Sequence, residues 1–221
     1  MSDHVALLDE SAPGLVAAVH VVGSTALGDR APGSDLDLVV ELSRPPSDDD
    51  LRKLAEAQSL ELDVVYLVDG RPGPWGRDGR LNTTPAEVTP VLLEQLNNYS
   101  RTLRGPRPAF AVTRAEVERW CRRNLVEYWA PLIELGAAAS GPVFREGLLW
   151  LAFGPARLWH TIRTGEIVGK SRAGELAGRH WPDLAGPLKE LVEARHDPGR
   201  DLHDGHRGAA VELGRRVLAE F

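Results

Sequence analysis

The sequence predicts an α+β chain: an N-terminal mixed-sheet domain followed by an all-α helical-bundle domain. Three observations lead there. Between Val19 and Val68 lie three short apolar, β-branched runs, the pattern of buried strands, with a helical stretch before the third. From Thr113 onward, apolar residues recur at helical spacing almost to the C-terminus. Between these halves, Arg104-Gly105-Pro106-Arg107-Pro108 breaks the chain. The domains are therefore expected over residues 1–105 and 106–221.

Whole-chain properties narrow the class. A chain of 221 residues with 43% hydrophobic and 26% charged content is an ordinary globular protein, long enough for two small domains. A net charge of −6 and a pI near 5.7 argue against a nucleic-acid partner, which calls for a basic surface. They are compatible with a cationic small molecule drawn to an acidic cleft. The single cysteine, Cys121, rules out an internal disulfide and a cysteine-based zinc site. No apolar segment is long enough for a signal peptide or a membrane span, so a cytoplasmic protein is expected.

Residues 1–13 form a short polar–apolar lead, and Gly14-Leu15-Val16-Ala17-Ala18 runs into the first strand (Val19, Val21, Val22). The chain then turns at Gly23-Ser24. Glycine permits a sharp turn and a close approach to a ligand. Amides of a helix opening at Ser24-Thr25-Ala26, together with the Ser24 hydroxyl, suit an anion. Beyond a small-residue turn through Gly28, Pro32 and Gly33 comes a second strand, Asp35-Leu36-Asp37-Leu38-Val39-Val40. Side chains two apart on a strand share a face, so Asp35 and Asp37 aim at one volume while Leu36 and Leu38 face a core. Two adjacent carboxylates call for a neutralising cation, and Mg²⁺ with carboxylate and phosphate ligands fits best.

The string G-S-x10-D-L-D-L resembles the signature of the DNA polymerase β-like nucleotidyltransferase superfamily, with Gly23, Ser24, Asp35 and Asp37 on its motif positions. The resemblance implies Mg-ATP as co-substrate, with Asp35 and Asp37 as metal ligands. Gly23 and Ser24, with Arg30 and Ser34 in the intervening turn, are the candidate nucleotide contacts.

Next, Ser47 or Asp48 caps a helix with apolar positions Leu51, Leu54 and Ala55. The third strand is Leu60 to Val68. Polymerase β-like enzymes place a third carboxylate on the strand beside the D-x-D strand, as general base or third metal ligand, and Glu61 and Asp63 both qualify. Asp63 is the first choice because it opens the unbroken apolar run. Glu61 is the alternative, since Leu60-Glu61 resembles the dipeptide carrying the base in aminoglycoside adenylyltransferases. Residues 69–84, rich in glycine, proline and charge, are expected to form a loop leaving this domain, and 85–103 a helix.

In the second half, Thr113-Arg114-Ala115-Glu116 is a capping box opening a helix that runs through Trp129. A glycine/alanine/serine stretch from Gly136 to Gly141 interrupts it. An apolar helix over 146–163 ends at Thr164-Gly165, with Gly165 as its left-handed terminator. Helices follow over about 172–179, 183–195 and 205–221. The run from Ala156-Arg157 through Trp159, Thr161 and Thr164-Gly165 to Lys170 resembles the helical domain of streptomycin/spectinomycin adenylyltransferases, whose pattern is A-R-x-W-x-T-x-x-T-G-x-x-x-x-K. There the lysine reaches the triphosphate, so the resemblance assigns ATP-phosphate contacts to Lys170 and a supporting role to Arg157. One departure stands out: the family's drug-gripping aspartate falls on Gly147, with Glu146 adjacent. Asn124, Tyr128 and Trp129 are candidate cleft residues, although aromatic pairs at such spacing are more often core, and Trp150 and Trp159 more so. His196, His203 and His206 lie in an Asp/Gly-rich stretch that reads as a turn before it reads as a zinc site.

The resulting expectation is an Mg-dependent enzyme, monomeric or weakly dimeric. It would transfer AMP from ATP to a hydroxyl of a cationic small molecule, such as an aminoglycoside, and release pyrophosphate. The rival readings keep the fold but take a protein or RNA acceptor, as in toxin–antitoxin nucleotidyltransferases, or retain only nucleotide binding.

Overall fold

The computed structural model describes residues 2–221, which divide into two compact units, Met1–Ala111 and Val112–Phe221. The N-terminal lead folds as helix α1 (Ser2–Ser11). Strand β1 (Val16–Val21) follows, then a single helical turn, α2 (Gly23–Ala26), and strand β2 (Leu36–Leu42). Helix α3 (Asp48–Glu56) crosses to strand β3 (Leu62–Val68), which therefore lies parallel to β2. Strands β4 (Arg71–Arg77) and β5 (Arg80–Asn82), helix α4 (Pro90–Tyr99) and strand β6 (Arg101–Arg104) complete the unit. The sheet order is β5-β4-β3-β2-β1-β6, and every pairing but β2–β3 is antiparallel.

Strand alternation sorts the side chains into two layers. Leu38, Val40, Leu42, Leu62, Val64 and Tyr66 pack with Leu8 of α1 and Leu54 of α3. On the opposite face Val22, Val39 and Leu67 pack with Leu96 of α4. Asp37 and Asp63 alternate onto this second face, as the sequence pattern requires. Helix α3 opens with a capping box: Asp50 N–H donates to Ser47 Oγ at 3.2 Å, and Ser47 N–H donates to Asp50 Oδ2 at 2.8 Å. Arg44 adds two bonds to the same carboxylate, at 2.6 and 3.2 Å. Arg44, and then Ser47, hold the Asp50 carboxyl far below the usual carboxylate range.

Two segments differ from expectation. Residues 69–84 form β4 and β5 rather than a loop. Asp69-Gly70 (φ 50° and 70°) and Asp78-Gly79 (φ 51° and 69°) are paired positive-φ turns, the geometry of tight hairpins. Pro72 and Pro74 lie in β4 outside its paired stretch with β5 (Trp75–Arg77), where no ladder donor is needed on that side. The expected helix over 85–103 is confined to α4, because Thr89 caps it late and Arg101–Arg104 leave it to pair with β1.

The second unit is helical: α5 (Arg114–Asn124), a π turn (Leu125–Trp129), α6 (Ala130–Ala138), α7 (Arg145–Thr164), α8 (Lys170–His180), a 3₁₀ turn (Pro182–Leu184), α9 (Ala185–His196) and α10 (Asp204–Ala219). Thr113 and Glu116 make the expected capping box. Gly165 (φ 82°) terminates α7, its N–H donating to Thr161 O at 2.8 Å. Helix α7 packs against α5, α8 and α10 and buries Leu151, Phe153, Ala156 and Trp159. No helix among the described residues is long and apolar enough to cross a membrane.

Candidate active site

The candidate site starts where β1 ends. Gly23 has φ +62°, and a Cβ there would overlap the Asp37 carboxylate and come within 2.9 Å of the Asp37 Cβ. Only glycine fits between this turn and that acid. The turn is fixed by Val22 N–H donating to Asp37 O at 3.0 Å and by Gly23 N–H donating to the buried Gln95 Oε1 at 3.4 Å. Ser24 lies in the first turn of α2, and its carbonyl accepts from Asp29 N–H at 2.8 Å.

The loop to β2 is closed by its own side chains. Ser34 Oγ accepts from Ala31 N–H at 3.1 Å, and Arg30 donates to Ser34 O at 3.4 Å. This places Asp35, exposed, immediately before β2. Asp37 is the direct register partner of Asp63 across the parallel β2–β3 pair. Neighbours at one register position share a face, so the two carboxylates stand together with Asp35 at their edge. Glu61 precedes β3 and is exposed; its carbonyl accepts from Leu36 N–H at 2.8 Å.

Burial pushes the Asp63 carboxyl above its ordinary pKa, the Arg77 guanidinium opposes that shift, and the negative charges of Asp35 and Asp78 add to it. Arg77 Nε donates to Asp63 Oδ2 at 2.9 Å. Neither Arg77 nor Gln95 stands out in the sequence. Arg77 lies in the segment taken for a loop. The Asp69-Gly70 hairpin signal would have laid β4 against β3, and the irregularity between Val65 and Leu67 then brings Arg77 level with Asp63, next to the Val64–Gly76 pair.

Three acids converge on one sheet face, beside a turn where a single methyl group would collide with one of them. Hard oxygen donors on a rigid floor with space held open fit a small divalent cation and phosphate oxygens.

In the helical unit, Lys170 opens α8 with its Nζ 5.1 Å from the centre of the Trp150 ring. Arg157 on α7 donates to Val168 O at 3.1 Å. Trp129 and Trp159 are buried, whereas Trp150 is exposed and donates to Tyr128 Oη at 3.2 Å. The expectation that Trp150 is core is therefore corrected: the residue is 42% exposed, with one side of its ring against Trp129. Gly147 lines a cavity of about 350 Å³ with Tyr128, Phe144, Trp150 and Arg207, and no acidic side chain lines it.

His203 and His206, with Glu190, bring possible ligand atoms within 4.8 Å of one another. Their Nδ1 atoms, however, accept the Gly205 and His203 N–H groups at 3.1 and 3.2 Å, capping α10. A neutral imidazole with Nδ1 accepting carries its proton on Nε2, the atom a metal would need. The two histidines cap a helix, and Glu190 on α9 pairs with His206 Nε2 at 2.8 Å. His196 lies apart, with Nε2 2.9 Å from Ser171 Oγ.

The family model described as a nucleotidyltransferase domain matches residues 5–72, a span that includes Gly23, Ser24, Asp35, Asp37 and Asp63. Over that span the chain is similar to nucleotidyltransferase domains. Among solved structures it is similar to spectinomycin adenyltransferase AAD(9) from Enterococcus faecialis, whose structure was determined with ATP and spectinomycin. The TM-score is 0.68 at 14% identity, over 98% of this chain and 99% of that one, a likeness of fold. No curated protein matches the chain by sequence. The two matches bear out the resemblance to polymerase β-like nucleotidyltransferases, the sheet-then-helices fold class and the reading of the chain as an enzyme of that kind.

Proposed function

We propose that the chain transfers the AMP group of ATP to a hydroxyl of a small molecule and releases pyrophosphate. The observation that carries this reading is the pairing of Asp37 with Asp63 on one face, with Gly23 closed against Asp37. Asp35 and Asp37 would hold Mg²⁺, with Asp63 beside them as the third carboxylate. When bound, the ion supplies positive charge to the phosphate oxygens. Asp63 takes the acceptor's hydroxyl proton as that oxygen forms its bond to the α-phosphorus. The bond from the α-phosphorus to the oxygen bridging it to the β-phosphorus breaks, and its electron pair leaves with pyrophosphate.

Asp63 is chosen over Glu61 because it is the half-buried register partner of Asp37, and because burial makes it the better proton acceptor. Gly23 and the Ser24 hydroxyl are assigned to the triphosphate, with Arg30 and Ser34 beside them. Lys170 keeps the phosphate-neutralising role that the family resemblance implies, and Arg157 its supporting one.

For the acceptor we favour a polyhydroxylated aminocyclitol. Support comes from the fold shared with an adenyltransferase solved with ATP and spectinomycin, and from this chain's net charge of −6. Glycine at position 147 predicts a different grip on the acceptor's ammonium groups. A monomeric or weakly dimeric cytoplasmic enzyme, where ATP is at hand, goes with this reading.

The test is a pyrophosphate-release screen over aminoglycosides and aminocyclitols with Mg-ATP and Mg-GTP, repeated with Asp35→Asn and Asp37→Asn. Each variant should lose turnover by at least about a thousandfold while keeping its circular dichroism spectrum and melting temperature. Full turnover in either variant defeats the assignment.

A further inference from the structure

The cavity of about 350 Å³ in the helical unit lies between α6 and the start of α7, with the rings of Tyr128, Phe144 and Trp150 in its walls. Two of its lining residues are glycines inside helices, where glycine weakens a helix relative to alanine. A Cβ at Gly136 would come within 2.7 Å of Leu151 Cδ2, and one at Gly147 within 3.0 Å of Phe144 Cδ1. Phe144 occupies the N-cap of α7, makes no side-chain cap hydrogen bond there and is 72% exposed. Serine, threonine, aspartate or asparagine would satisfy an open helix N–H at that place, and an exposed ring gains nothing from burial. Helix stability is given up at Gly136, Phe144 and Gly147 around one opening. What the opening gains is ring surface and room.

Charge selects the occupant. Among the described residues no acid lines the cavity, so an ammonium group finds no counter-charge in it. The single lining cation, Arg207, is turned to the protein: it donates to Ala139 O at 2.6 Å and to Gly141 O at 2.7 Å, and it pairs with Asp204 at 3.1 Å. Its side chain is 13% exposed, so a carboxylate or phosphate would have to displace those oxygens. Tyr128 Oη accepts from Trp150 Nε1 at 3.2 Å and can still donate its own proton to a ligand oxygen. An apolar cavity of about 150 Å³ holds one benzene ring, so this one has room for two fused rings.

We propose that this cavity is a binding site for an uncharged small molecule with two fused rings and one acceptor oxygen, the rings seated among Tyr128, Phe144 and Trp150 and the oxygen on the Tyr128 hydroxyl. The inference goes beyond nucleotidyl transfer and stands on the helical unit alone. Size, apolar walls and one convergent polar group are what small-molecule sites have in common.

The test uses the full chain without nucleotide. The probe is prodan, an uncharged naphthyl ketone whose emission moves to the blue in apolar surroundings. The parent should bind it saturably at one site. Methyl naphthyl ketone should displace it, whereas naphthylmethylammonium and naphthalenesulfonate should each compete at least about tenfold more weakly, because a charge is costly in an unpaired apolar site. Gly147→Leu fills the space and should lower affinity about tenfold or more. Gly147→Asp should lower it likewise and admit the ammonium analogue. Tyr128→Phe should cost about threefold to tenfold, the worth of one hydrogen bond. Phe144→Ser should raise the melting temperature by restoring a cap while weakening prodan binding by about threefold or more, and it carries the test if Gly147→Leu does not fold. Binding that fails to saturate, that survives both Gly147→Leu and Phe144→Ser unchanged, or that either charged analogue displaces as well as the ketone does, overturns the proposal. So does binding that fades with rising protein concentration while a dimer appears in sedimentation, which gives the opening to a second copy of the chain. Because no nucleotide is present, the result stands whatever the pyrophosphate screen returns.

Discussion

Asp37 and Asp63 face one another as direct partners in a parallel strand pair, while Glu61 sits ahead of the paired stretch. The two candidate bases are thereby separated. Asp63→Asn is expected to lower kcat by about a hundredfold to ten-thousandfold, the usual worth of a positioned general base, and Glu61→Gln by less than about tenfold. Single-turnover measurement of adenylyl transfer for both variants decides the matter. The reverse ranking would move the base to Glu61.

The turn at Gly23 should tolerate no side chain. Gly23→Ala meets a φ of +62°, which alone costs about 1–3 kcal/mol. It also drives a methyl group into the Asp37 carboxylate. Loss of stability, read from denaturant midpoints, should come with loss of turnover of about a hundredfold as the acid is displaced. A stable and active alanine variant would show that the turn relaxes freely.

Asp50 gives a pH signature remote from the acids. Its carboxyl is depressed in the folded state by Arg44 and Ser47, so its contribution is fully present above the unfolded-state pKa of about 3.9 and is lost as pH falls below that toward the folded value. Asp50→Asn should cost about 1 kcal/mol at neutral pH, the scale of a lost helix cap. The gap between parent and variant should shrink by pH 3 in urea titrations, with turnover at neutral pH unaffected.

Cys121 is fully buried, and burial pushes its thiol up to about 12, with the Arg157 charge partly opposing the shift. Maleimide or alkylating reagents at pH 8 should leave the native chain unlabelled and modify it completely once unfolded, because the thiolate is the reactive form. Rapid native labelling would show that α5 opens readily.

Much of this was legible in the sequence. Gly23-Ser24, Asp35 and Asp37 declared themselves because a strand of period two forces i and i+2 onto one face, and the capping boxes at Ser47 and Thr113 carried local signals. The edges of the sheet were harder. Strand β4 contains Pro72, Gly73, Pro74 and Gly76, residues that weaken any strand signal. Its two Asp-Gly turns, which do mark hairpins, were outweighed by that composition. Strand β6 holds only four residues directly after a helix, too few for a period to emerge. Arg77 was invisible for the same reason as its strand, since its partner could be known only once β4 lay against β3.

The parallel register of β2 and β3 ties chemistry to counting. Slippage by one residue in either strand would turn one carboxylate into the packed layer under α1 and α3 and bring a leucine to the reaction face in its place. Apolar exchanges along these strands leave the parity intact, so drift there is cheap. A single inserted or deleted residue between Leu36 and Leu42, or between Leu62 and Val68, silences the enzyme while leaving its composition almost untouched.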